Sequence, residues 1–302
     1  MGEATAATRL TFDQLRTFVA VAEHLHVTAA ARQLGVSQSA ASASVAGLEE
    51  RCGQKLFNRV GRHIELTAAG AIFLIEARAV LDRVGRAEEV LGELSGLRRG
   101  RLRLHASQTI ANHWLPPLLY RFHQSYPQIA LGIGIGNSRA VARAVVEGRA
   151  DIGFVEGAVS EPLLAPTDLP GDRLLLVVGA GHPWAARTTL AATDLTATPW
   201  VIRESGSGTR QVFEAALAGY GLAMATLDVA FELPSNEAVC AAVEAGAGAT
   251  VISDLVVGRS LRAGSLVALP LAFPERRFQA LRHGDRAHGR AEDAFLAMVG
   301  CR

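Results

Sequence analysis

The 302-residue sequence contains little of what would mark an exported, disulfide-bonded or membrane-spanning protein. Its three cysteines (Cys52, Cys240 and Cys301) are far apart and form no C-x-x-C pair, which argues for a reducing compartment and against a disulfide framework or a zinc site. It has no uninterrupted run of about 18 apolar residues. Its first residues show no positively charged stretch followed by an apolar one. We therefore expect a cytoplasmic protein with no signal peptide and no membrane span.

Charge of one sign is also missing. The chain has 30 basic and 29 acidic side chains, a formal net charge of +1. A strongly basic balance would indicate nucleic acid by itself, so an argument for DNA must rest on motifs and their positions. The length suits two or three folding units, and 49% apolar with 20% charged residues is typical of a soluble globular protein.

The common sequence motifs of enzymes do not occur. There is no Walker sequence, no G-x-S-x-G and no H-E-x-x-H, and the nine histidines do not cluster. Residues 132–137 superficially resemble a dinucleotide loop, but position 137 is asparagine and the glycines fit within a strand. We expect no catalytic residue, cofactor or metal, and an enzyme is the first alternative that we reject.

The first seventy residues predict a helix-turn-helix. Apolar residues at helical spacing define one face of a first helix: Leu15, Phe18, Val19 and Ala22. A second helix is predicted with Thr28 as its N-cap and Gly35 at its end. Ser37 is placed to cap a third helix, from Gln38 to about Arg51, after a short glycine-containing turn.

The third helix has the composition expected of a DNA-reading helix. Small polar side chains at its start would let the backbone enter a major groove closely, and Gln38 could read adenine through its amide. We predict that Gln38, Ser39 and Ser42 contact bases. Residues 56–59 and 62–67 predict a two-stranded wing, and the phosphate contacts are assigned to Arg32, Ser37, Arg59 and Arg62.

These residues resemble the N-terminal signature of LysR-type transcriptional regulators over about 60 positions. The matching positions are Phe18, Ala30, Ala31, Leu34, Ser37, Gln38, Ser42, Leu48, Glu49, Gly53, Leu56, Phe57, Arg59, Leu66, Thr67 and Gly70. The resemblance implies a DNA-binding transcriptional regulator that binds inverted repeats of double-stranded DNA as a dimer or tetramer. Ser39 stands where proline is frequent, and Ala43 stands where many members have arginine or glutamine, which removes one possible base contact.

A proline-free segment that follows the wing predicts a long helix over residues 71–95. Apolar residues spaced 4, 3, 4, 3, 4, 3 would form a seam: Phe73, Ala77, Val80, Val84, Ala87, Leu91 and Leu94. We interpret this linker as a dimerisation helix, as the resemblance also implies. The alternative is a helix packed on its own domain. Residues 96–100 are predicted to form a hinge.

From residue 101 the sequence alternates between strand and helix patterns, which predicts an α/β domain with mainly parallel sheets. We predict two lobes in a periplasmic-binding-protein-like arrangement. The first comprises about 101–169 and 270–302, and the second about 170–269, so that the chain crosses near residues 169–170 and returns near 269–270. A solute-binding protein would explain this half alone and is the second alternative.

Two predicted strand ends are rich in small hydroxyl residues, where open α/β sheets bind ligands. Helix N-termini there would offer N–H groups and a favourable dipole to an anion, and Arg203 could add charge and paired donors. The predicted effector-binding residues are Ser107, Gln108, Thr109, Asn137, Arg203, Ser205, Ser207, Gly208 and Thr209. The alternative is that these are ordinary helix caps.

This half also resembles the LysR-type regulators that control carbon fixation and sulfur assimilation. The matching strings are residues 107–110, 136–137, 151–157 and 203–210. Because members of that subgroup respond to small anions, the resemblance implies a small anionic effector in the cleft between the lobes.

Overall fold

The structure is a computed structural model that describes residues 10–60, 63–93 and 100–300. The chain divides into two compact units, with the boundary between Leu94 and Ser95. Among the described residues, no helix is both long enough and apolar enough to cross a membrane.

The N-terminal unit is a winged helix-turn-helix followed by a long helix, as the sequence predicted. Its elements are α1 (Phe12–His24), α2 (Val27–Leu34), α3 (Gln38–Cys52), β1 (Phe57–Val60), β2 (His63–Leu66) and α4 (Ala68–Glu93). The strands β1 and β2 pair antiparallel. Arg62 and Gly61, between these strands, lie outside the described residues, as do Leu94 and residues 96–99 of the predicted hinge.

Caps define the helix-turn-helix, and one differs from its prediction. Ser37 caps α3, because its Oγ accepts a hydrogen bond of 3.1 Å from the N–H of Ala40. The cap of α2 is His26, whose Nδ1 accepts from the N–H of Ala29 at 3.3 Å. The prediction of Thr28 was wrong because the helix already begins at Val27, which places Thr28 inside the first turn.

The first part of α4 packs on its own unit. Phe73 and Ala77 join the core around Leu15 and Phe18, and the rings of Phe18 and Phe73 lie 5.0 Å apart. These two positions of the predicted seam are therefore used within one chain. Val80 is exposed, and the side chain of Leu91 is not among those that the structure describes.

The C-terminal unit contains two five-stranded sheets. Its strands are β3 (Gly100–Ser107), β4 (Ile129–Gly136), β5 (Ile152–Glu156), β6 (Leu164–Asp172), β7 (Leu174–Gly179), β8 (Pro199–Arg203), β9 (Asp228–Leu233), β10 (Ala249–Ser253), β11 (Leu266–Ala268) and β12 (Arg276–His283). Its α-helices are α5 (Leu115–Ser125), α6 (Ser138–Val146), α7 (Gly208–Gly219), α8 (Asn236–Glu244), α9 (Asp254–Ala263) and α10 (Arg290–Val299). A π-helical turn, Ile110–Trp114, precedes α5.

The strand orders are β4-β3-β5-β12-β6 in the first lobe and β11-β7-β10-β8-β9 in the second. In each sheet the three strands that carry βαβ connections are parallel, and the remaining pairings are antiparallel. The sheets are therefore mixed rather than mainly parallel. In each sheet, the strand that enters from the other lobe (β12 in the first lobe and β7 in the second) runs antiparallel to its neighbours.

The two crossovers lie a few residues beyond their predicted positions. Strand β6 continues through Pro170 to Asp172, and the chain enters β7 at Leu174. It returns between β11 and β12. No strand was predicted here because Pro166 and Pro170 interrupt the pattern, but β6 is an edge strand, where proline is tolerated.

The glycines of residues 132–136 lie within β4, as predicted. His105 on β3 stands opposite Gly134, and a Cβ added at Gly134 would lie 2.1 Å from the Cε1 atom of the His105 ring. The glycine therefore makes room for an imidazole on the neighbouring strand, and the resemblance to a dinucleotide loop does not hold.

Candidate functional site

The start of α3 is an exposed polar surface. Ser37, Gln38, Ser39 and Ala40 are all exposed, and Ser42 is half-buried. The Gln38 amide donates to Ser42 Oγ at 3.0 Å, and the hydroxyl oxygens of Ser37 and Ser39 are 3.0 Å apart. All of these bonds join residues within one turn, so the side chains can exchange them for contacts with a partner at little cost.

The opposite face of α3 is anchored by small and apolar residues. Ala41 and Leu48 are buried there, and Ala30 and Ala31 of α2 are buried as well. Alanines allow α2 and α3 to pack closely. This packing holds the polar end of α3 at the surface.

Glu49 ties the end of α3 to the wing. Its carboxylate accepts hydrogen bonds from the N–H groups of Leu56 (2.9 Å) and Phe57 (3.1 Å) and from Lys55 Nζ (2.6 Å). Burial opposes the charge, but the bonds from Lys55 and from these two N–H groups prevail and lower the pKa of Glu49. A buried charge thereby sets where β1 begins relative to α3.

Two of the arginines that are predicted to bind phosphate lie at the surface of the N-terminal unit. Arg32 on α2 and Arg59 on β1 are both exposed. Arg59 stands opposite Ile64 in the wing. The predicted contact of Arg62 lies outside the described residues, and the roles of all these side chains stay predictions.

In the C-terminal unit, the loop after β3 meets the start of α8. The Gln108 side chain donates to the carbonyl of Pro234 at 2.8 Å and accepts from the N–H of Asn236 at 3.0 Å. Thr109 Oγ1 accepts from Asn236 Nδ2 at 3.2 Å. Fully buried Asn236, which the sequence analysis did not single out, therefore joins the two lobes.

Arg203 has a different environment from the one that we expected. Its guanidinium donates to both carboxylate oxygens of Glu204, at 2.8 and 3.0 Å, and to the Asn236 side chain. The Arg203 side chain is only 4% exposed. Its charge is already neutralised by its own neighbour, so in this conformation it is not free to receive an anion.

A second interlobe contact is made at the start of α6. Asn137 caps this helix by accepting from the N–H of Ala140 at 3.0 Å, and its amide donates to Glu204 at 3.1 Å. The N–H of Arg139 donates to the carbonyl of Gly206 at 3.2 Å. Gly206 has a φ of +93°, and a Cβ there would lie 3.1 Å from Arg139 Cβ. The loop before α7 therefore lies directly against α6.

A cavity of about 560 Å³ opens beside this contact, lined among others by Ser138, Arg139, Ser205 and Ser207. A volume of this size lies within the roughly 300–1,000 Å³ of small-molecule sites. Two other lining arginines are paired: Arg143 with Glu147, and Arg210 with Glu214 and Glu232. Within residues 100–300, no ion pair involves the exposed Arg139. Arg139 was not predicted, although it lies only two residues after the predicted Asn137.

The start of α7 carries the remaining predicted residues. Ser207 is buried and its side chain makes no capping bond, whereas the caps of α6, α8 and α9 do so. Thr209 Oγ1 accepts from Arg276 Nη1 at 2.9 Å. A Cβ at Gly208 would lie 2.4 Å from the carbonyl oxygen of Glu156.

Ser107, at the end of β3, has an unusual environment. The residue is only 1% exposed, and no hydrogen-bond partner for its Oγ is found in the part of the chain that the structure describes. A buried hydroxyl normally has a partner.

Two family models match the chain along these two units. Residues 12–71 match the bacterial regulatory helix-turn-helix protein, lysR family, and residues 95–302 match the LysR substrate binding domain. The chain belongs to the LysR family. It is a DNA-binding transcriptional regulator with an effector-binding domain, and the predicted fold class is confirmed.

Individual relatives agree with this family. The chain is 34% identical over 295 residues to the uncharacterized HTH-type transcriptional regulator YeiE of Escherichia coli K12, covering 95% of this LysR-family chain and 96% of YeiE. It is 33% identical over 279 residues to the RuBisCO operon transcriptional regulator of Allochromatium vinosum, covering 90% of each. The latter agrees with the predicted resemblance to regulators of carbon fixation.

A solved structure shows the same fold over the full length. The crystal structure of full-length CbnR complexed with its target DNA superposes with a TM-score of 0.67 at 23% identity, covering 96% of this chain and 99% of CbnR. The alternatives of a free-standing solute-binding protein and of an enzyme do not account for the helix-turn-helix match.

Proposed function

We propose that this LysR-family regulator reads its operator with Gln38, Ser39 and Ser42 of α3, while Arg32, Ser37, Arg59 and Arg62 hold phosphates. The exposed polar start of α3 carries the proposal, because the hydrogen bonds of its side chains stay within the start of this helix, at 3.0–3.1 Å. Alanines between them let the backbone approach base edges in the major groove. An inverted repeat would be read by two copies in successive grooves.

Replacing Arg59 by alanine tests the phosphate assignment. We expect weaker binding to every DNA sequence, and a salt dependence of log K that is shallower by about 0.9, the slope for one phosphate contact. The measurement is binding to operator and random duplexes at several salt concentrations. Arg262→Ala, which removes an exposed arginine of α9, is the matched control. A loss confined to one base position would contradict the role of Arg59.

We also propose that the effector is a small anion bound in the 560 Å³ cavity beside α6 and α7. The exposed guanidinium of Arg139 supplies the charge, and Ser205 and Ser207 supply hydroxyls. The start of α7 adds a favourable dipole and the N–H groups that its cap residue leaves unbonded. Asn137 and Gly208 shape this site, and the buried hydroxyl of Ser107 supports a ligand role on the β3 side of the cleft.

Melting temperatures of the full chain with sulfite, sulfate, phosphate, sugar phosphates and carboxylates test this site. A ligand at 100 times its Kd stabilises the folded state by about 2.7 kcal/mol. We expect one class of anion to raise the melting temperature, and the shift to be lost in Arg139→Ala. Arg121→Ala on α5 is the control, since it removes an exposed arginine that is not among the residues lining the cavity. No shift with any anion would overturn the anionic effector.

The proposed response to the effector is a change in the angle between the lobes. Interlobe bonds such as those of Gln108 and Asn137 close the cleft, so a ligand that fits only one arrangement shifts the population towards it. We expect the effector to change the DNA footprint. An unchanged footprint at saturating ligand would contradict this mechanism.

Self-association of the chain, as a dimer or tetramer, completes the proposal. Edge strands β4 and β9 expose apolar side chains that a monomer would leave in water: Ile133, Ile135, Val229 and Phe231. Ile72 of α4 is 68% exposed. We expect Phe231→Asp to lower the association state in sedimentation velocity, whereas Tyr220→Ser, at an exposed position on another surface, leaves it unchanged.

A further inference from the structure

A buried ion pair of the C-terminal unit lies at the two crossovers between the lobes. Asp172 is the last residue of β6 and Arg276 is the first of β12, and they stand opposite each other in the sheet. Arg276 donates through Nε to Asp172 Oδ1 at 2.6 Å and through Nη2 to Oδ2. Their side chains are 0% and 1% exposed. The pair therefore joins the outgoing and the returning strand.

The same pair also bonds to the second lobe at two points. Arg276 Nη1 donates to Thr209 Oγ1 at 2.9 Å, in the first turn of α7. Ser253, at the end of β10, donates its hydroxyl to Asp172 Oδ2. Each member of the pair is therefore hydrogen-bonded to the second lobe: Arg276 through Nη1, and Asp172 through Oδ2, which also accepts from Arg276. Thr209 is also the last residue of the predicted effector loop.

We propose that Asp172 and Arg276 are positioning residues that couple the start of α7 to both crossovers through the Thr209 hydroxyl. A ligand that moves the Ser205–Thr209 loop would then change the angle between the lobes through this pair. The link from ligand to loop rests on the proposed effector site, but the coupling of Thr209 to the crossovers does not.

The coupling follows from the fixed geometry of a buried guanidinium. Its donors lie in one plane, so Arg276 cannot follow Thr209 without weakening its two bonds to Asp172. If Thr209 moves away alone, a charged donor remains buried without a partner, which is costly. The backbones of β6 and β12 are also packed closely here, because a Cβ at Gly171 would lie 1.6 Å from the carbonyl oxygen of Arg276.

Hydrogen–deuterium exchange of the full chain without ligand tests the coupling. Thr209→Val keeps the branched shape but removes the hydroxyl. We expect exchange on the order of tenfold faster at the start of α7 and also around residues 169–175 and 268–277, as loss of a hydrogen bond to a charged group implies. Thr209→Ser should restore slow exchange, and α10 should not change.

Thr198→Val is the matched control, because Thr198 is equally buried and its hydroxyl bonds to His182 Nε2 at 2.9 Å, within the second lobe only. It should leave both crossovers unchanged. Faster exchange at α7 alone in Thr209→Val would overturn the proposal, and so would an equal effect at the crossovers from Thr198→Val.

Repeating the measurement with inorganic phosphate and with sulfate separates this inference from the effector site. If neither anion alters exchange in the wild type while Thr209→Val still loosens both crossovers, phosphate and sulfate are excluded as ligands of the effector site and the coupling stands. If an anion protects the α7 start and the crossovers together, and protects only α7 in Thr209→Val, both proposals are supported.

Discussion

The proposed DNA-reading surface on α3 and the proposed effector cleft are built in opposite ways. On α3 the polar side chains are exposed, and their hydrogen bonds span two to four residues of sequence. In the cleft several polar side chains are buried, among them Arg203 and Thr209, and the partners of Thr209 and Gln108 lie 67 and 128 residues away. The first surface keeps its side chains free for a partner. In the second, many polar groups bond to one another across the lobes, so a ligand that moves the lobes must compete with existing bonds, and that competition can change the conformation.

The strongest test of this contrast is Asp172→Asn. Removing one partner from a buried ion pair costs about 3–5 kcal/mol, and we expect that loss in the free energy of unfolding of the C-terminal unit. Urea unfolding followed by tryptophan fluorescence reports on this unit alone, because all three tryptophans (Trp114, Trp184 and Trp200) lie in it.

The matched control is Asp293→Asn, since Asp293 pairs with Arg282 at 3.0 Å but its side chain is 64% exposed. Exposed pairs contribute about 0–1 kcal/mol. Similar losses of unfolding free energy in the two variants would show that burial does not make the Asp172–Arg276 pair more stabilising than an exposed pair.

The contrast also explains how much could be predicted from the sequence. Residues that bond within one helix start, such as Ser37 and Gln38, were located from local sequence, because the turn before α3 and the small polar residues after it are adjacent in the chain. Ser205 and Ser207 were placed in the cleft because strand ends converge in α/β folds. Arg276 and Asn236 were missed because their partners come from distant segments, and nothing in their local sequence distinguishes them. Arg203 was located, but the bonds that neutralise it could not be foreseen.

Glu49 is a charged residue of the N-terminal unit that is buried, unlike the polar residues at the start of α3. Glu49→Gln tests how much its charge stabilises this unit. Hydrogen bonds to a charged group contribute about 1.5–3 kcal/mol, so we expect a loss of this order in the unfolding free energy of that unit. The folded pKa of Glu49 is lowered below its ordinary value of 4.5. Its charge therefore stabilises the fold above that value, and the contribution is lost as pH falls through the lower folded pKa.

Far-UV circular dichroism during unfolding at a series of acidic pH values measures this effect. The variant should show a flatter acid limb than the wild type. Glu50→Gln, which changes the adjacent exposed carboxylate, should leave both the stability and the acid limb unchanged. Equal effects from the two changes would place the stabilisation elsewhere in the unit.

On the exposed surface of α3, Gln38→Ala should weaken DNA binding without changing the stability of the fold. Surface substitutions change stability by less than about 0.5 kcal/mol, whereas loss of a bidentate base contact costs about 1–3 kcal/mol at one base pair. We therefore expect an unchanged melting temperature with weaker operator binding. Competition with single-base operator variants measures the specificity, and Gln54→Ala, an exposed glutamine beyond α3, is the control. An equal loss on all sequences would assign Gln38 to phosphate.

The smallest expected effect concerns His105, which lies in the first lobe beside Gly134. Burial, with the charge of Arg149, lowers the pKa of His105 below its ordinary 6.5. The unfolded chain then binds this proton more readily than the folded one, so the C-terminal unit should lose stability as pH falls through 6.5 towards the lower folded pKa. His105→Gln should flatten that slope. Part of it should remain, because burial and Arg187 also lower the pKa of His182 in the second lobe. His123→Gln, at an exposed position of α5, should keep the wild-type slope. If His105→Gln also kept the wild-type slope, the pH dependence of stability in this unit would come from its other histidines. Burial of His105 would then contribute little to that dependence.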